Sequence, residues 1–191
     1  MLWDESTDDL VFGTSSKIGI GTTAPGSILH AAASGNPQFT ISGYSTSANE
    51  GGELILQHSN HNSIANYTAL DADDRLGIIY FQGSSGTGFQ SGASISAFAD
   101  ETWSGTAAGS TIKFHTADNT TTTLDERMRI DHNGNVGIGS AAPGAILELV
   151  KNSGAAGTTQ LTIDNTAIAS GSTDEYVQIK FRHGGATAAD I

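Results

Sequence analysis

Residues 126–149 read "ERMRIDHNGNVGIGSAAPGAILEL", and residues 9–30 carry a weaker copy, "DLVFGTSSKIGIGTTAPGSILH". Ile18 maps onto Val136, 118 residues further on, and Gly19-Ile20-Gly21 then maps onto Gly137-Ile138-Gly139. Ala24-Pro25-Gly26 maps onto Ala142-Pro143-Gly144, and Ile28-Leu29 onto Ile146-Leu147. A catalytic loop is not normally written twice in one chain, whereas a structural joint is.

The second copy contains a hairpin whose register is decided by burial. With a two-residue Asn133-Gly134 loop, Ile138 would stand opposite Arg129. With a three-residue loop, His132-Asn133-Gly134, Ile130 pairs with Val136 and Met128 with Ile138. Directly opposed residues share a face, so only the second register gives one apolar face. It also sets Gly134 at the left-handed position of a type I turn with a bulge, where the absence of Cβ avoids strain. The first copy obeys the same register if Phe12 pairs with Ile18 and Leu10 with Ile20. Met128, Ile130, Gly134, Val136 and Ile138 are therefore read as a structural hairpin.

A unit of about 120 residues is longer than the short solenoid periods, so the chain reads as an array of modules. Residues 1–30 are the end of a preceding repeat, with its hairpin and linker. Residues 31–149 are a complete repeat closed by the 128–138 hairpin, and 150–191 begin the next. Phe39-Thr40-Ile41 resembles Leu161-Thr162-Ile163 at a slightly larger offset. The chain is expected to be a segment of something longer.

Within the unit the patterning is that of strands. "LGIIYFQG" (76–83) is apolar on both faces, the mark of a strand covered on two sides. "ASISAFAD" (93–100) and "TIKFHT" (111–116) alternate, with Ile112 and Phe114 on one side. "GSSGTGFQSG" (83–92) and "SGTAAGS" (104–110) read as loops. No stretch carries a helical stripe with caps, so the class is all-β.

Of 191 residues only 37% are hydrophobic and 7% aromatic, while 24 are Gly. That is little bulky apolar surface to set against roughly 1–2 kcal/mol of backbone entropy per ordered residue. Such a chain can be rigid by burying surface against copies of itself. A net charge of −12 disfavours a phosphate backbone or an anionic membrane as partner. No apolar run reaches the roughly 18 residues that span a bilayer, and "MLWDESTDDL" lacks the features of a signal peptide. With no cysteine, disulfides and zinc–thiolate sites are excluded together.

Candidate chemistry is weak throughout. "GIGTTA" (19–24) and "GIGSAA" (137–142) fit a loose dinucleotide-binding turn, but no helix follows, and the acidic residue needed about 20 positions on is absent. These glycines are expected to serve close approach of neighbouring chains or backbone bends. Asp131, Asn133 and Asn135 open like a calcium loop, yet Val136 and Ala142 occupy the positions that need Gly and Glu. "DADDR" (71–75) reads as an acidic solvated loop. His58 and His61 fall on opposite faces of a strand, and together would bind a metal only from a loop. Glu50, Glu53, Asp100, Glu101, Asp125 and Glu126 are numerous enough to pair as glycosidase carboxylates, but nothing selects a pair. No enzyme activity, cofactor or metal is expected. Phe89 and Trp103, read in Gly-rich loops, are the candidate glycan contacts, with an inter-chain contact the favoured role.

The phrase at 126–149, with "LGIIYFQGSSGTGFQSGASISAFADETWSG" before it, resembles the repeats of bacteriophage tail fibres and related appendages. Such repeats often lie upstream of an intramolecular chaperone domain of the endosialidase type, and related ones occur in bacterial surface proteins. No residues resemble that chaperone's self-cleaving segment. The resemblance implies an elongated parallel homotrimer with other virion proteins as partners. It also implies a shaft that displays a host-binding tip, on a virion or, as the alternative, a bacterial surface. The other function it allows is a module whose 83–92 and 100–110 loops touch host glycans directly.

Overall fold

A computed structural model describes residues 2–4, 9–11, 17–64, 66–151, 182–183 and 186–187. The expected pairing of Phe12 with Ile18, and the 161–163 counterpart of Phe39–Ile41, lie outside these residues. Contacts divide the chain into two compact units, Met1–Ile55 and Leu56–Ile191. The described residues hold strands and no helix, so the class is all-β.

In the first unit, β1 (Leu2–Asp4) and β2 (Asp9–Val11) form an antiparallel pair, and β3 (Ile18–Ile20) pairs in parallel with β4 (Leu29–Ala31). Leu10 is opposite Trp3 in its own two-stranded sheet, which corrects the expected Leu10–Ile20 pairing. The two strands are close in sequence, so closing them costs little chain entropy.

The second unit is built on one sheet. Its strands are β5 (Arg75–Ser84), β6 (Phe89–Ala99), β7 (Ser110–Ala117), β8 (Leu124–Ile130), β9 (Val136–Ile138) and β10 (Leu147–Leu149). They lie in the order β10-β9-β8-β7-β6-β5, an antiparallel meander closed by a parallel last pair. Two short pieces, β11 (Arg182–His183) and β12 (Ala186–Thr187), pair with each other.

The β5–β6 loop is only 85–88, closed by a Ser85 N–H bond to the Gly88 carbonyl at 2.8 Å. Phe89 and the three residues after it thus belong to β6, not to a long loop as expected, because Gly86 with φ +90 lets the chain reverse tightly. Phe89 faces Ser84, and Gln82 reaches Ser91 at 3.0 Å.

The β8–β9 hairpin pairs Met128 with Ile138, Arg129 with Gly137 and Ile130 with Val136. The turn closes by an Asp131 N–H bond to the Asn135 carbonyl and a Gly134 N–H bond to the Asp131 carbonyl, at 3.0 and 2.9 Å. Gly134 has φ +80. This is the three-residue loop with its bulge. The Asp131 carboxylate accepts the N–H groups of Asn133 and Asn135 at 2.9 and 2.8 Å, so it organises the turn rather than an ion.

After β9 the chain does something the pattern does not announce. Parallel strands normally need a connection of a dozen or more residues. Here residues 139–146 return the chain to the start of β9, and β10 runs beside it, with Val136 N–H bonded to the Ile146 carbonyl and Val150 N–H to that of Ile138. Gly139 makes this turn, with φ +71 and a missing Cβ that would lie 1.9 Å from the Val150 carbonyl oxygen. The glycine thus serves a backbone bend, the second of the two roles expected of it, with its close approach made to its own chain.

Candidate functional site: an uncovered apolar sheet face

The register aligns apolar side chains into rows that cross the whole sheet. Ile79, Ile95, Phe114, Met128, Ile138 and Leu149 stand opposite one another in turn from β5 to β10. Two residues along, Ala97, Ile112, Ile130, Val136 and Leu147 form a second row on the same face. Direct cross-strand neighbours of this kind stabilise a sheet. A face so apolar would ordinarily be covered.

Among the described residues it is only partly covered, by Leu56, which lies against Gly77 opposite Ala97. Ile79, Ile112 and Ile138 are each 42–43% exposed and Leu147 55%. Strand β5, expected to be covered on two sides, forms the sheet edge with Ile79, Tyr80 and Phe81 all exposed. Among the described residues the buried hydrophobic core is Leu70 and Ala99, against 21 exposed large hydrophobics. Five of these, Ile79, Ile95, Ile112, Ile138 and Leu147, stand in the two rows, which makes this face the candidate interaction surface.

The opposite face is polar and, unexpectedly, the better buried. Ser94, Ser96 and Thr111 are each 3% exposed or less. Long side chains of β7 flank the two serines: Lys113 stands opposite Ser96, and His115 opposite Ser94. The Lys113 ammonium lies 4.5 Å from the centre of the Phe98 ring, a cation–π contact. Arg129 holds Glu126 through two bonds of 2.6 and 2.7 Å. Partial burial works to raise the Glu126 carboxyl, but the Arg129 bonds and charge, with Lys113 and His115 behind them, outweigh it and hold the pKa below the usual range. The bond to Glu126 raises the Arg129 guanidinium in turn. At Asp131 slight desolvation is likewise outweighed, by the N–H groups of Asn135 and Asn133, and its pKa is lowered.

The sequence candidates scatter over this frame. Met128, Ile130, Val136 and Ile138 come together on the apolar face. Phe89 begins β6, while Trp103 follows its end, so about ten residues at roughly 3.3 Å each separate them. They cannot share one sugar. Trp103 instead borders a cavity of about 410 Å³ with His58, Tyr67, Leu70 and Ser104. Its indole N–H bonds to the Gly109 carbonyl at 3.1 Å, and its backbone N–H to that of Leu70 at 2.8 Å. His61 Nδ1 accepts the Ser63 N–H at 3.0 Å. Asp74 takes the Asp71 N–H at 2.8 Å, which makes "DADDR" a self-bonded turn. Of the carboxylates, Asp100 contacts His132 and accepts from Thr111, beside a cleft of about 270 Å³ that Arg129 and Asp131 also line. The sequence reading did not foresee that contact, which joins residues 32 positions apart. Among the described residues no three His, Asp or Glu side chains converge on one point.

No protein-family model matches the chain, and no curated protein matches it in sequence. Its fold is similar to the carboxy-terminal domain of the bacteriophage T5 L-shaped tail fibre, at 16% identity and a TM-score of 0.49, over 73% of this chain and 50% of that one. The same domain with its intra-molecular chaperone domain matches at 15% identity and a TM-score of 0.50, over 82% of this chain and 38% of that one. The chain thus spans half or less of the solved chains it resembles, and the likeness is one of fold.

Proposed function

We propose that this chain is a shaft segment of a phage tail fibre, assembled as a parallel homotrimer that holds a host-binding tip away from the virion. The observation that carries this reading is the largely uncovered apolar face of the six-stranded sheet, among described residues whose buried hydrophobic core is only Leu70 and Ala99. Three copies packed face to face around one axis would bury the two apolar rows and supply that core. The repeat supports the same reading, because a module written at intervals of 118 residues adds length rather than chemistry. The fold likeness to a tail fibre domain supports it further, and a virion appendage is the location that follows. The segment acts through geometry and not catalysis: a stiff trimer presents three tips at once, which raises avidity without new contacts.

Sedimentation equilibrium tests the reading. The expected mass is three times the 19.6 kDa of one chain. A folded, stable monomer at micromolar concentration overturns it.

A second reading, direct glycan contact, is favoured by the Trp103 cavity, where an aromatic wall stands beside the polar groups of His58, Ser59, Thr68 and Ser104. A glycan array probed with this segment alone separates the two, since a pure shaft gives no binding.

A further inference from the structure

Residues 33–55 are exposed along their whole length and contain no strand. Their sequence is nevertheless that of two strands and a turn. "PQFTISGY" (37–44) alternates Phe39 and Ile41 with Thr40 and Ser42, and "GGELI" (51–55) ends on Leu54 and Ile55. Between them Ser45 bonds to Glu50, and the Ser47 N–H bonds to Ser45 at 3.0 Å, which reverses the chain. The two arms approach beside this turn: a Cβ on Gly52 would lie 2.4 Å from the Ile41 carbonyl oxygen, and one on Gly43 2.6 Å from the carbonyl carbon of Gly51. Yet among the described residues no backbone–backbone hydrogen bond involves 33–55. Phe39 is 80% exposed and Tyr44 96%.

We infer that residues 37–44 and 51–55 are half-made strands whose backbone partners come from a second copy of this chain. This rests on the self-assembly reading above and names the segment that would join the copies by hydrogen bonds, where the sheet face would join them by packing. Water could satisfy the free N–H and C=O groups, but it would leave Phe39, Ile41, Leu54 and Ile55 bare. A strand from outside satisfies both needs together. The identity of the partner follows from the repeat. Leu161-Thr162-Ile163 restates Phe39-Thr40-Ile41 in the next unit, so the partner must offer a matching edge at the same long spacing. A parallel copy of the same chain offers it, and a foreign globular partner does not.

Photo-crosslinking and hydrogen exchange on the 191-residue chain, run beside sedimentation, test this. Benzoyl-phenylalanine in place of Phe39 is expected to give covalent dimers and trimers joined within 37–55. Amides of 39–43 and 52–55 in the unmodified oligomer are expected to exchange at least about a hundredfold more slowly than in an unfolded chain. An oligomer that crosslinks only within single chains, or exchanges these amides at unfolded rates, overturns the inference and leaves the assembly reading standing. A monomeric mass overturns both.

Discussion

The two copies of the repeated phrase share one backbone and differ in almost everything around it. In each, a three-residue strand is followed by an eight-residue return and a second strand in parallel, Ile18 beside Leu29 and Val136 beside Leu147. The closing bonds recur at the same offset: Ile18 N–H to Ile28 and Ala32 N–H to Ile20, then Val136 N–H to Ile146 and Val150 N–H to Ile138. Side chains that differ do the same work. Lys17 and Asn135 each donate to the carbonyl of the loop proline, at 3.1 and 3.3 Å. His30 and Glu148 each accept the N–H of the glycine after it, at 3.1 and 2.7 Å.

The turn sequence of the flanking hairpin does not recur. Its turn is written Asp131-His132-Asn133-Gly134-Asn135 in the second copy, but Gly13-Thr14-Ser15-Ser16-Lys17 in the first. The first copy has neither the carboxylate that collects two backbone N–H groups nor the glycine at the left-handed position. There β2 pairs with β1. The parallel return thus recurs without the turn sequence that organises the second copy's hairpin, and that hairpin rests on the local turn chemistry of 131–135.

The largest expected effect is at the glycine shared by both returns. Gly139 and Gly134 have similar positive φ values, +71 and +80, but opposite surroundings. A Cβ at 139 meets the Val150 carbonyl oxygen at 1.9 Å, while at 134 nothing lies within 4 Å. Gly139→Ala should thus incur both backbone strain and a backbone clash, on the order of 3–5 kcal/mol. Gly21→Ala, with the Ala32 carbonyl oxygen 2.1 Å away, should damage the first return by a similar amount. Thermal melts of the two variants check this, and small shifts in both would mean that the returns are not built as described.

Next in size is the hairpin glycine. Gly134→Ala has only the left-handed conformation to overcome and should cost about 1 kcal/mol; Gly134→Val, β-branched, should cost about 1–3 kcal/mol per chain. In a trimer that loss occurs in every copy. Asn133→Asp should be nearly silent, because its position asks only for an ordinary turn residue. Equal melting shifts for Gly134→Val and Asn133→Asp would break the distinction between a turn-dependent hairpin and an autonomous return.

Sequence alone made the hairpin legible because its information is local. Period-two burial sets Met128 against Ile138, and one glycine sets the loop. The parallel return was not legible, since an eight-residue connection is shorter than such crossovers usually are and its glycines resemble those of a phosphate loop. Ile112 and Phe114 were recognised as one side of a strand, but the rows they belong to needed the pairing of all six strands. The reading of 76–83 as covered on two sides is met only in part within the single chain, because β5 lies at the edge and, among the described residues, Leu56 covers it only at Gly77. Phe89 was misplaced because Gly86 makes the reversal shorter than the glycine-rich text suggests. The cavity at Trp103 joins residues more than thirty positions apart, beyond the reach of any local pattern.

The smallest effect is the most discriminating, because it tests whether two unlike side chains are equivalent. His30 accepts the Gly26 N–H through Nδ1, which requires a neutral imidazole with its proton on Nε2. Glu148 accepts the Gly144 N–H through a carboxylate, a charge-assisted and therefore stronger bond. Both sites are exposed, so water limits what either bond contributes. Glu148→His should lower stability by less than about 1 kcal/mol, and His30→Glu should raise it by a similar fraction. Glu148→Leu removes the acceptor and should cost more than the histidine variant. The amide resonances report the bonds directly. Glu148→Leu should move the Gly144 amide and leave the Gly26 amide in place, and His30→Leu should do the reverse. In the His30→Glu variant the Gly26 amide should shift toward the position of the Gly144 amide. If either amide ignores the loss of its acceptor, then the two returns are not held by the same bond, and their likeness ends at the backbone.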